Sequence, residues 1–252
     1  MKNKKLILIT AVTGAIFIFS RQTVHAGGGP SSSQAIAGAA TVRGVVRFEG
    51  KVPAAKPINM AADPSCARQH LTPALNQEIM VGAKGGLQNV IVFVSDGLAG
   101  HTFDSPSQPA VIEQKGCLYQ PHVLALRTNQ QLEVVNDDPT THNIHPMPAN
   151  NREWNKAELP GTKMEEAFPR QEIAIPVKCN VHPWMHSYVA VFNHPYFVVT
   201  GKDGSFDLRN LPPGTYTVEA WHERMGTSIQ KITVGANETK SIDFVFKAGA
   251  AI

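Results

Sequence analysis

Three cysteines among 252 residues are too few to make this chain a disulfide-built scaffold, and an odd number leaves one of them without a partner in the chain. No stretch sustains a helical period of useful length, although Asp63 to His70 has the composition for one or two turns. Helix bundles and alternating βα architectures are thereby excluded. No Gly-rich loop follows a strand and opens a helix, so a phosphate cradle of the nucleotide-binding kind is absent. The uncharged run from Leu6 to Phe19 is too short to span a bilayer. Beyond Lys2, Lys4 and Lys5, lysine and arginine never gather into a block. A surface that tracks nucleic acid or anionic lipid is therefore not expected.

The basic start, the short apolar run and the small residues of Val24-His25-Ala26 are the three parts of a secretory signal, which predicts cleavage after Ala26. Residues 27–40, GGGPSSSQAIAGAA, read as a flexible leader. Without residues 1–26 the chain keeps 19 basic against 20 acidic residues, a net charge of −1, so the basicity belongs to the export signal. No stable membrane insertion is expected after cleavage. The compartment implied is periplasmic or extracellular, where thiols that hold no metal tend to pair. Cys66 and Cys117 are the candidates for that pair if Cys179 holds a metal, as the resemblance given below implies, the alternative being two buried thiols.

From Thr41 onward the chain is a succession of short β-branched and aromatic runs separated by Gly, Pro, Asn and Asp. TVRGVVRF, NVIVFVS, HVLALRT, QLEVVN, EIAIPVKC, YVAVF, YFVVTG, SFDLRN, TYTVEAWH, SIQKITV and SIDFVF are the clearest. An all-β fold of sandwiches follows. Lys202-Asp203-Gly204 is expected to close a hairpin, and Leu211-Pro212-Pro213-Gly214 to turn the chain into the strand TYTVEAWH. Asp203-Gly204-Ser205-Phe206 followed by Leu211-Pro212-Pro213-Gly214-Thr215-Tyr216 resembles the carboxypeptidase regulatory-like (transthyretin-like, Ig-type) sandwich. That resemblance covers about fifty residues and implies that residues 196–252 belong to such a domain. GVVRFEGKVP and NVIVFVS of the N-terminal β segment, residues 41–107, fit that family's first strands, which leaves open whether the segment belongs to the same sandwich, with the domain between them inserted, or stands apart.

Two segments carry chemistry. Asn136-Asp137-Asp138-Pro139-Thr140-Thr141-His142-Asn143-Ile144-His145 follows the strand QLEVVN, and Cys179-Asn180-Val181-His182-Pro183-Trp184-Met185 follows EIAIPVKC. Together they offer two imidazoles, a thiolate and a thioether. That donor set suits copper cycling between two oxidation states, whereas zinc gains little from a thioether. The pattern resembles the cupredoxin (blue-copper) family over roughly Val111 to Val191, and its short ligand loop with proline after the histidine is most like amicyanin's. The resemblance implies a copper domain over residues 108–195, with one type 1 copper held by His142, Cys179 and His182 and more weakly by Met185. Asn143 would tie the two loops together by hydrogen bonds near the sulfur. His145 is an alternative to His142, and His186 to Met185. The remaining histidines, His70, His101, His122, His194 and His222, are scattered singly and read as surface or structural residues.

Single-electron carriage between redox partners is the function this resemblance implies, with the exposed edge of His182 as the exit and Trp184, Met147 and Pro146 as an apolar rim for a partner protein. An open-site copper enzyme is a second reading, although no further Cys-x2-His or His-x-His ligand set is present. A copper-stabilised binding or docking module is a third, with Trp221-His222-Glu223 as a strand-end surface.

Overall fold

The computed structural model describes residues 37–249, and within them the chain is almost entirely β-strand. The expected signal segment and most of the expected leader lie outside the described residues. In chain order the strands are β1 Ala40–Glu49, β2 Ile91–Asp96, β3 Ala110–Gln114, β4 Tyr119–Gln120, β5 Val123–Arg127, β6 Leu132–Asn136, β7 His142–Pro146, β8 Lys156–Glu158 and β9 Lys163–Glu166. They continue as β10 Glu172–Lys178, β11 His186–Phe192, β12 Phe197–Val199, β13 Ser205–Leu211, β14 Gly214–His222, β15 Gly226–Val234, β16 Thr239–Ser241 and β17 Phe244–Lys247. One helical turn, α1 Pro64–Ala67, starts at Asp63, whose carboxylate accepts from the Ser65 amide.

These strands form four sheets. β1 lies between β13 and the consecutive pair β16 and β17, and β2 lies between β12 and β14, with β15 outside β14. The other two sheets run β5-β11-β10-β7-β8 and β4-β3-β6-β9. The first and last parts of the chain thus share two sheets, and the strands between them in sequence, β3 to β11, build the other two.

Side-chain alternation shows how the sheets stack. In β2, Val92 and Val94 enter one apolar cluster with Val42, Val46, Val218 and Phe244, while Ile91 and Phe93 enter another with Val123, Ala190, Phe192 and Phe197. In β11 the same split recurs: Ala190 and Phe192 face that shared cluster, whereas Val189 and Val191 face a third with Cys179, Met185, Leu126 and Ile144. Strands buried on both faces read as continuous apolar runs, which is why VIVFV and YVAVF lack a polar alternation.

Two features differ from the sequence expectation. The Lys202-Asp203-Gly204 turn does not close a hairpin, because β12 pairs with β2 and β13 with β1. The N-terminal strands take the pairing edges, so the turn carries the chain from one sheet to the next. Gly204 sits at φ +71°, with the Val46 carbonyl 2.2 Å from where a Cβ would lie. Strands β3, β4, β8, β9 and β16 are short or mixed in polarity and had no clear signal.

The connection from β2 to β3 is fastened by Arg127, which is 3% exposed. Its guanidinium donates to the carbonyls of Phe103, Asp104, Phe192 and Asn193 at 2.9–3.3 Å. Beside it His194 is buried, its Nδ1 accepting from the Tyr196 amide at 3.2 Å. Burial first, and the Arg127 charge second, hold its pKa down to about 4.

Two outcomes follow from this packing. Phe192 is fully buried, stacked on Phe197 at 4.5 Å and 5.1 Å from Phe93. Phe192→Ala is expected to destabilise the fold by about 3–5 kcal/mol in denaturant titrations. Because the folded-state pKa of His194 lies below its unfolded value, the unfolded chain binds the extra proton. Its stabilising contribution is complete above about pH 6.5 and is lost as pH falls toward about 4. His194→Gln is expected to flatten that part of the stability profile.

Candidate metal centre

The ends of two neighbouring strands bring the two sequence segments together. His142 opens β7, and Cys179 follows β10, which pairs with β7 through Val177–Pro146 and Lys178–His145. The loop from Cys179 to Met185 closes on itself. The Cys179 amide donates to the Met185 carbonyl at 3.1 Å, and the Met185 amide to the His182 carbonyl at 2.9 Å. His142, Cys179, His182 and Met185 are each at most 2% exposed.

Ring nitrogens of His142 and His182 and the sulfur of Cys179 lie within 4.8 Å of one another. The two Nδ1 atoms face each other at 2.8 Å, and Cys179 Sγ is 3.8 Å from His182 Nδ1. Each imidazole is held from behind by a carboxylate. His142 Nε2 is 2.8 Å from Asp138 Oδ2, and His182 Nε2 is 2.9 Å from Asp63 Oδ2. An ionised carboxylate only accepts, so both Nε2 atoms carry the hydrogen and both Nδ1 atoms turn a lone pair inward. Two such lone pairs at this distance require a proton or a cation between them.

Electrostatics agree with that demand. Burial pushes the His142 pKa down, but the hydrogen bond to Asp138 and then the Cys179 sulfur outweigh it and raise it to about 9. For Cys179 burial pushes the thiol up, yet His142 and the nearby amides bring it down to about 6, so it is a thiolate at neutral pH. Asp138 is also held below the usual carboxylate range. Burial opposes this, and hydrogen bonds from His142 and the amides of Cys117 and Gly116 prevail. Hydrogen bonds from Ser65 and then His182 keep Asp63 low as well.

Asn143 sits between the loops. Its Oδ1 accepts from the amides of Asn180 at 2.6 Å and Val181 at 3.3 Å and lies 3.3 Å from Cys179 Sγ, while its Nδ2 donates to Asn155. The sequence pointed to His145 as an alternative to His142, but the structure turns it away. Its two ring nitrogens face Asn180 Oδ1 and Glu153 Oε1. His186 likewise points elsewhere, with its ring 5.1 Å from that of His122. Met185 shares an apolar cluster with Cys179.

Cys66 and Cys117 form a disulfide, leaving Cys179 as the free thiol among the described residues. The bridge joins α1 to the loop before β4, and so ties together the chain segments that supply Asp63 and the amides on Asp138. Neither carboxylate was singled out from the sequence. Asp63 read only as the start of a candidate helical turn, and Asp138 only as part of the segment leading to His142. The surface also differs from expectation. His182 has no exposed edge, because Asp63 caps its Nε2 and Trp184 lies over it with ring centres 5.0 Å apart. Trp184 and Met147 are half-buried, while Val181 and Pro183 are exposed.

The donors fit a copper ion: two facing ring nitrogens, the Cys179 sulfur and a buried thioether residue beside them supply soft and borderline ligands. Among the described residues no helix is long and apolar enough to cross a membrane.

Residues 184–247 match the carboxypeptidase regulatory-like domain family. The match begins within the metal loop and includes β11, which pairs in the sheet next to the one holding β12 and β14. None of the curated protein sequences matches the chain. Among solved structures, similarity extends to a copper-containing nitrite reductase from Thermus scotoductus SA-01, at 18% identity and a TM-score of 0.33, covering 38% of this chain and 25% of the reductase. A purple cupredoxin from Nitrosopumilus maritimus is similar at 23% identity and a TM-score of 0.29, over 32% of this chain and 98% of that one. A point mutant of amicyanin in its Cu(I) form is similar at 16% identity and a TM-score of 0.30, over 33% and 81% of the respective chains. The chain thus spans only a quarter of the nitrite reductase's length.

Removal of one orienting carboxylate tests how this centre is built. Asp138→Ala is expected to weaken copper affinity by about 10- to 100-fold, read by competition with a chromophoric chelator.

Proposed function

We propose that this chain is an exported type 1 copper protein that carries single electrons between redox partners, with His142, Cys179 and His182 as the principal ligands and Met185 as a weak fourth. The observation that carries this reading is the pair of facing Nδ1 atoms 2.8 Å apart beside the buried Cys179 sulfur. When bound, copper would supply a one-electron couple at this donor set.

The chain's own residues account for the rest. Asp63 and Asp138 hold the imidazole rings from behind, so neither ring has to swing when the charge at the site changes. The Asn143 side chain clamps the Cys179 loop to β7 by accepting from two backbone amides, and the backbone amides of Asn143 and His182 donate toward the sulfur, which helps set the potential. Burial of all four side chains excludes water and leaves no approach for a substrate, which favours electron carriage over an open-site enzyme.

An electron leaving by way of His182 would cross Trp184, so the partner surface in this reading centres on Val181, Pro183 and Trp184 with Met147 at its rim. Small, short-lived redox contacts suit such a patch. The Cys66–Cys117 disulfide accords with export to a periplasmic or extracellular compartment.

The expected spectrum of the Cu(II)-loaded protein has an intense visible thiolate-to-copper band and a narrow copper hyperfine splitting, both lost in Cys179→Ser. A weak, ordinary tetragonal spectrum, or no copper uptake, would overturn the electron-carrier reading and move an open-site enzyme or a docking module ahead of it.

A further inference from the structure

A second group of ligating side chains lies where the two halves of the fold meet. His122 immediately precedes β5, His186 opens β11, and Glu223 immediately follows β14, so two donors come from one sheet and the third from the sheet packed against it. One ligand atom from each lies within 4.8 Å of the other two. The sequence did not group these residues, which are 64 and 37 positions apart; His186 was read only as an alternative to Met185 and Glu223 only as part of a strand-end surface.

Their environment is built rather than incidental. The side chains of His122 and Glu223 are each only 4% exposed, and His122 Nε2 donates to Glu223 Oε1, so a metal ion bound by both would take the place of the hydrogen they share. The His122 carbonyl accepts from Ser187 Oγ at 2.9 Å and from the Tyr188 amide at 3.0 Å, which fixes the backbone from which the ring projects. His186 Nδ1 is 3.2 Å from the Trp184 carbonyl. A carbonyl only accepts, so Nδ1 carries the hydrogen and Nε2 keeps its lone pair, the arrangement by which a metal-binding histidine is usually oriented. No hydrogen bond to His186 Nε2 is made among the described residues. The two imidazoles stand edge to face, 82° apart, and the rings of Tyr188 and Trp221 pack together beside them.

We propose that His122, His186 and Glu223 form a second metal site, distinct from the cysteine-containing centre, that takes a divalent first-row transition ion such as Zn2+. Two imidazoles and one carboxylate suit an ion of borderline softness and disfavour Mg2+ or Ca2+, which prefer all-oxygen shells. Three protein donors leave a fourth position for water or a small anion. Because the donors come from both halves of the fold, the ion also ties those halves together, and binding stabilises the folded chain.

The test uses the full chain carrying His142→Ala and Cys179→Ala, which removes the first donor set, so that the outcome is independent of the copper reading. Titration with Zn2+ is expected to show one equivalent bound and a raised thermal midpoint, with no response to Mg2+. Adding Glu223→Gln to this background is expected to weaken Zn2+ by more than about tenfold, because only two donors remain. His186→Ala, on a half-buried ring, is expected to act alike, and circular dichroism would show that both variants keep the fold. Absence of Zn2+ binding in the parent, or binding that neither substitution weakens, would overturn the proposal and leave His122 and Glu223 as an ion pair between sheets.

Discussion

Two imidazoles held nose to nose, each with its outer nitrogen on a carboxylate, are the constraint around which this end of the molecule is organised. A hydrogen on both Nε2 atoms leaves two lone pairs 2.8 Å apart, and a proton or a cation between them relieves their repulsion. Against burial, the Asp138 hydrogen bond and the Cys179 sulfur raise the His142 pKa to about 9, which favours a proton in that space when no metal is bound. In the proposed copper reading a metal ion would relieve the repulsion more fully, because the Cys179 sulfur lies beside the same space. Metal binding and the ionisation of these side chains are thus the same electrostatic problem.

The scaffold supplies the positions from unusually distant parts of the chain. β7 and β10 are neighbours, which sets His142 beside Cys179. The carboxylate on His182 comes from the start of α1, 119 residues earlier, and the disulfide from Cys66 to Cys117 holds that segment against the loop carrying the Asp138 amides. A link closing about fifty residues lowers the entropy of the unfolded chain by roughly 4 kcal/mol on a chain-entropy argument. Here it also places the carboxylates that orient the rings, so its loss would act on the site as well as on stability.

The stacking of sheets gives the two halves of the fold a shared interior. β2 and β11 each place alternate side chains in different clusters, and Ile91, Phe93, Ala190, Phe192 and Phe197 fill the layer between them. Such a layer is rigid in the way any close-packed interior is rigid. At its margin lie His122, His186 and Glu223, so the proposed second ion belongs to the junction and not to either half alone. The family match over residues 184–247 likewise crosses this junction, beginning in the metal loop and ending at β17.

Much of this was legible from local chemistry. A period of two with β-branched residues required strands, the absence of helical periodicity required sandwiches, and a thiolate, imidazole and thioether within seven residues drew attention to one loop. His142 and Asn143 were legible because they begin a strand next to a chemically distinctive partner. Asp63, Asp138 and the His122–His186–Glu223 group were not, since a carboxylate or a lone histidine carries no local signature and acquires a role only from what the fold sets beside it. The same holds for the burial of His182, whose edge was expected at the surface and is covered by Asp63 and Trp184. Local sequence determined which residues had metal-binding chemistry to offer, because donor softness and strand propensity belong to the side chains themselves. Which donors face one another, and which carboxylates turn them inward, was decided only when distant strands paired, because hydrogen bonds and ligand distances are properties of neighbours in space.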